Sequence, residues 1–195
     1  MSLVIGNGES RRFSNPSSFN HNNIIIGCNA IHRDMQIDHL VCCDRRMVEE
    51  AVKSLNTARS KIYVRPDWFR YFRKIRKDKR ILQTPELPYD GELKQDKPIH
   101  WGSGSYAVLL GAMLDDETHL LGFDLYPTND NINNLYKGTP NYNPKNSKPV
   151  DYSFWIYQIA MVFKYFPNNK FVIHNKHDWQ IPFDWKKKNV FFEKF

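Results

Sequence analysis

Apolar residues fall along this chain in short continuous runs rather than in alternation. Four lie in the first third: LVIGN at residues 3–7, NIIIGCN at 23–29, DHLVCCD at 38–44 and KIYVRP at 61–66. Unbroken Ile, Val, Leu and Cys predict strands buried on both faces, as in a parallel sheet. Between the third and fourth runs, RRMVEEAVKSLNTA at 45–58 sets Met47, Val48, Ala51, Val52 and Leu55 on one helical face. These three segments predict a βαβ unit with a right-handed crossover. The gap between the first two runs is rich in Ser, Asn and Pro and has room for only a short helix.

The pattern changes after Pro66. In DWFRYFRKIRKDKR, at 67–80, Trp68, Phe72 and Ile75 recur at helical spacing, with basic residues on the other side. A solvated amphipathic helix is the plain reading, and an anion-binding face the other. Prolines and mixed charges at 83–98 predict loop, and a short strand then enters GSGS at 102–105. A small-residue helix at 105–114, an acidic turn and a strand at 118–126 follow. Residues 127–149 are rich in Asn, Pro, Gly and Tyr, which predicts a lid or mobile segment. An aromatic helix at 150–166 and a core strand at 170–175 come next, and the tail supplies an edge strand. The sum is one α/β domain: a doubly wound, mostly parallel Rossmann-like sheet with helices on both faces.

Composition adds limits. A chain of 195 residues with 41% hydrophobic and 25% charged residues is an ordinary globular domain. Its formal charge of +7 favours anionic partners without choosing among them. Cys28, Cys42 and Cys43 sit in apolar runs with no metal-ligand spacing, which reads as reduced core thiols of a cytoplasmic protein. No apolar run reaches the length of about 20 residues that a membrane-spanning helix needs. No DNA- or RNA-binding signature is present, so nucleic acid is not an expected partner.

Ligands of such sheets bind at the carboxyl ends of the strands. The residues expected there are Gly6, Asn7 and Gly8, then Asn29, Asp44, Ser103 with Gly104, and Asp124. All are small or polar, able to hydrogen-bond a nucleotide or let its phosphates come close. Three histidines could supply a catalytic base. His32 lies just past the second strand on the ligand side, His100 precedes the Gly-Ser-Gly turn, and His174 ends the last core strand.

The order G-N-G-x-S (Gly6–Ser10), C-N (Cys28, Asn29), S-G-x-Y (Ser103–Tyr106) and G-x-D-x-Y (Gly122–Tyr126) resembles the bacterial lipo-oligosaccharide sialyltransferases. It is also similar to a wider Rossmann-like group that includes archaeal 6-hydroxymethylpterin diphosphokinases. The resemblance implies a cytidine-nucleotide pocket lined by Gly6, Asn7, Gly8, Ser10, Asn29, Ser103 and Gly104. It implies that Tyr126 and Tyr136 stabilise a departing CMP, and that no metal is required.

Two departures stand out. The family's general-base His is replaced by Asn146, and an amide cannot take a proton from an acceptor hydroxyl. Asp44 stands where the family has Asn; a carboxylate there suits a ribose hydroxyl, a cytosine amine or Mg²⁺.

The resulting expectation is a transferase moving a sugar-like group from a CMP-activated donor to a glycan or small-molecule acceptor. Tyr126, Tyr136 and His32 are its catalytic candidates. The alternatives are a diphosphokinase using ATP and Mg²⁺ through Asp44 and Asp124, or an inactive nucleotide-binding protein. The tail at 178–195 interleaves aromatics with Lys186–Lys188. It reads as an edge strand with a lysine turn or as a peripheral membrane contact. A homo-oligomer is compatible with the aromatic content.

Overall fold

The computed structural model describes residues 1–13, 23–93, 96–176 and 179–194. Eight strands form one sheet: β1 (Ser2–Ile5), β2 (Ile24–Cys28), β3 (His39–Cys42), β4 (Lys61–Val64), β5 (Ile81–Gln83), β6 (Glu117–Leu121), β7 (Lys170–Asn175) and β8 (Val190–Lys194). Their order is β5-β4-β3-β2-β1-β6-β7-β8, and every pairing is parallel. The chain walks from β1 out to one edge, returns to the centre at β6, and walks to the other edge. This is a doubly wound, Rossmann-like sheet whose direction reverses between β1 and β6.

Strand residues alternate between two cores. Val4, Ile26, Val41, Leu120 and Ile173 face one layer, which holds α3 (Ser103–Leu114) and α4 (Ser153–Tyr165). Leu3, Ile5, Leu40, Ile62 and Leu121 face the other, with α1 (Arg45–Ala51) and the segment opened by α2 (Pro66–Arg70). Burial on both faces is why the strands read as continuous apolar runs. Helix α3 lies between the sheet and α4, and every residue from Ser105 to Ala112 is buried. That location explains a helix with no polar face.

Several boundaries differ from the sequence reading. The expected short strand before GSGS is a 3₁₀ turn, Pro98–His100, and the sheet gains β5 instead. Three residues at a sheet edge are too few to show a period. The helix expected to run through residue 58 stops at Ala51; a 3₁₀ turn follows, leaving Leu55 at 89% exposure. Beyond α2 the helix widens into a π turn, Tyr71–Ile75, with Arg76 N donating to Tyr71 O. The extra residue in that turn keeps Phe72 buried and rotates Ile75 out to 67% exposure. Helix α3 starts two residues earlier than expected, and β6 ends at Leu121, so Asp124 belongs to the loop that follows. The tail does form an edge strand, β8, preceded by the exposed lysines 186–188.

Residues 127–149 are irregular but tied down. Leu135 N donates to Asn7 O at 2.8 Å, and Glu9 N donates to the Asn133 Oδ1 at 2.8 Å. Tyr136 is buried: its hydroxyl donates to Asp34 at 2.6 Å and accepts from Arg11 at 2.8 Å. Arg33 donates to Thr139 and Pro140, and Asn141 to Glu50. The lid is thus pinned to the loops that follow β1 and β2 and to α1. Among the described residues no helix is long and apolar enough to cross a membrane.

Candidate functional site at the sheet switch point

Where the winding reverses, the loops after β1 and β6 stay joined beyond the strands. Gly6 N donates to Leu121 O at 2.7 Å and Gly8 N to Gly122 O at 2.8 Å. A Cβ on Gly6 would come within 2.5 Å of Gly122 O, and one on Gly8 would press into the Asp124 carboxylate. The Gly-Asn-Gly bend is therefore required by contact between two loops of the protein itself. Its consequence is that Asn7 alone carries a side chain to the cavity at that point.

That cavity, about 140 Å³, is lined by Gly6, Asn7, Gly8, Asn29, Ser103, Gly104 and Asp124 among others. Seven of the residues placed at strand ends from sequence thus meet in one hollow. Asn29 adopts φ 52°, a left-handed conformation that Asn tolerates better than most residues. The buried Oδ1 atoms of Asn7 and Asn29 have no hydrogen-bond partner among the described residues. Both are acceptors awaiting a donor.

The first turn of α3 supplies the opposite need. The N–H groups of Ser103, Gly104 and Ser105 have no carbonyl four residues back within the helix. Gly102 at the N-cap has no side chain to cap them. Ser103 Oγ accepts from Cys43 N at 2.9 Å, which ties this turn to the end of β3. Ser105 is 1% exposed, its hydroxyl has no hydrogen-bond partner among the described residues, and it lines the cavity. At Gly104 an added Cβ would meet only the Phe123 ring edge at 3.4 Å, so packing does not demand glycine there. An uncapped helix start beside such a hydroxyl has the donors that an anion needs.

Asp124 closes one wall. It accepts from Ser10 N at 2.9 Å and from Ser10 Oγ, and it also bonds Asn133. Burial raises its pKa above the ordinary carboxylate value, and the Ser10 bonds offset part of the rise. Asp124 and Asn133 also line a second cavity, of about 460 Å³, together with Ser10 and Tyr126.

The remaining sequence candidates lie elsewhere. Asp44 is exposed and caps α1, accepting from Arg46 N at 3.0 Å. Tyr136 is outside both linings, held by Arg11 and Asp34 as the lid's fastening. His32 is 2% exposed on the α1 side, its Nε2 3.7 Å from Glu50, with burial lowering its pKa. Neither ring nitrogen of His32 has a hydrogen-bond partner among the described residues, and the groove it lines is a separate one. His174 stacks on His119, Nε2 to Nδ1 at 2.8 Å, and the carbonyl of His100 accepts from Gln158. Asn146 is on the exposed lid surface.

Sequence reasoning did not single out Ser105, Asn133, Tyr152 or Trp155, all in the cavity lining. Ser105 was legible, being the fourth residue of GSGS. The two aromatics sit on or before α4, where they look like core. No family model, curated protein or solved structure matches the chain.

Proposed function

We propose that this protein is a nucleotide-dependent transferase that seats the donor's phosphate on the first turn of α3. The observation that carries this reading is the uncapped Gly102-Ser103-Gly104-Ser105 turn opening into the switch-point cavity, with the Ser105 hydroxyl buried and without a partner among the described residues. A phosphate would satisfy the amides and the hydroxyl together. The lone carbonyl oxygens of Asn7 and Asn29 suit the ribose hydroxyls or the base amine of the same ligand. The cytidine identity and the sugar-like group transferred rest on the four motifs that resemble the sialyltransferases.

In this reading the amides and hydroxyls of α3 carry the charge that develops on the departing nucleotide, and the proposed step calls on no metal. The cavity is smaller than the roughly 300–1,000 Å³ usual for small-molecule sites. Phosphate fits the space as it stands, and a nucleoside needs room beyond the lining residues Asn133 and Asn134. Asp44 caps α1 and lies outside the lining of the cavity that Asp124 lines.

Thermal unfolding with CMP, CMP-sugars, UDP-sugars and ATP, each with and without magnesium, tests the proposal. Stabilisation by CMP and CMP-sugars without magnesium is the expected result. Stabilisation by ATP with magnesium alone, or by no nucleotide, overturns it.

A further inference from the structure

The second cavity shares two residues with the first, Asp124 and Asn133. Its volume of about 460 Å³ is within the range of small-molecule sites. Trp179 and Tyr126 supply aromatic surface, and Ser10, Lys176 and the polar residues of 128–129 supply donors and acceptors. The Trp179 ring is fixed: Nε1 donates to Asp124 O at 3.2 Å, and Trp185 and Phe192 pack against it, each 5.9 Å away between centroids. Tyr126 is anchored by donating to Asn175 Oδ1 at 3.4 Å. Fixed aromatic surface ringed by hydroxyl, amide and ammonium groups matches a ring with an apolar C–H face and a rim of hydroxyls. A purely apolar ligand would leave most of that rim unpaired.

Resting on the transferase reading, we propose that this second cavity is the acceptor subsite for a sugar-like ring, and that Asp124, which lines both cavities, is the base. A carboxylate has about four lone-pair positions. Among the described residues Ser10 N, Ser10 Oγ and Asn133 occupy three of them, which leaves one for an acceptor hydroxyl. In the step, the acceptor oxygen forms a bond to the donor carbon that carries the phosphate. The bond from that carbon to the phosphate oxygen breaks, and its electron pair leaves with the nucleoside monophosphate on α3. The acceptor's proton passes to Asp124. Burial of the carboxyl makes it a stronger base than an exposed aspartate, which suits the task.

The full chain is titrated with galactose, N-acetylneuraminic acid and, separately, CMP, and its turnover of CMP-N-acetylneuraminate is followed against pH. Sugar binding is expected to saturate, to weaken at least tenfold in Trp179→Ala, and to leave CMP affinity within about twofold. Asp124→Asn is expected to keep both ligands and lose turnover at least 100-fold, together with the acid limb of the pH profile. Ser10→Ala, which leaves the carboxylate in place, shifts that limb. CMP binding with no sugar binding, or a sugar that displaces CMP, overturns the subsite while the nucleotide reading stands. Full turnover by Asp124→Asn overturns the base, as does an unshifted limb in Ser10→Ala should Asp124→Asn not fold. Wild-type protein that binds both ligands yet leaves the donor intact overturns the base as well. Failure of CMP itself to bind overturns the nucleotide reading.

Discussion

The carboxylate of Asp124 occupies the space that a side chain on Gly8 would need: a Cβ at residue 8 would lie 2.5 Å from Asp124 Cγ. Two loops, one after β1 and one after β6, can close on each other only because residue 8 has no side chain. Gly104 is the contrasting case, with ordinary van der Waals room for a methyl group.

That contrast gives a paired prediction. Gly8→Ala must push Asp124 away from Ser10, and overpacking of this kind costs about 1–3 kcal/mol. Gly104→Ala gains up to about 1 kcal/mol of helix propensity yet sets a methyl group at the anion seat. Urea unfolding should separate the two in opposite directions, and CMP titration should show at least tenfold weaker binding for Gly104→Ala.

The lid fastening is a second target. Tyr136→Phe removes one donor to Asp34 and one acceptor for Arg11, while the Arg11–Asp34 pair at 2.8 Å remains. A loss of about 1–2 kcal/mol is expected. Amide exchange in residues 127–149 should accelerate more than exchange in β1 or β6.

Phe72 and Ile75 test the π turn. Phe72→Ala empties a fully packed position and should cost about 3–5 kcal/mol. Ile75→Ser changes an exposed residue and should stay within about 0.5 kcal/mol. An unbroken α-helix with its apolar stripe turned inward, as the spacing alone predicts, would make both substitutions damaging.

Acid sensitivity follows from buried histidines. Burial and the neighbouring His119 lower His174 from the ordinary 6.5 to about 4, with Glu193 3.5 Å from its Nδ1 opposing the shift. The unfolded chain therefore binds this proton first. His174 thus contributes stability above pH 6.5 that is lost progressively as pH falls toward about 4. His32 and His39, also lowered by burial, act in the same direction. Unfolding free energy measured across that range should fall less steeply in His174→Asn.

The sheet was legible because each buried strand left an unbroken apolar run, and β1 to β4, β6 and β7 could all be read that way. β5 could not, because Ile81–Gln83 is too short to show a period and adjoins a helical pattern. The strand-end residues were legible as a set, since chain order and the winding rule bring Asn7, Asn29, Ser103 and Asp124 to one rim. Tyr136 was not: its distant partners Arg11 and Asp34 meet it only through the fold, and nothing local marks a tyrosine as a fastening. The same holds for Trp179 and Asp124, which come from opposite sides of α4 in the chain.

The transferase reading stands or falls on an anion binding at the first turn of α3. The most direct measurement follows the backbone amide resonances of the full chain as CMP is added. The largest shifts are predicted for Ser103, Gly104 and Ser105, with smaller ones at Asn7 and Asn29. Saturable CMP binding that leaves those three amides unmoved, or no binding at all, would contradict it.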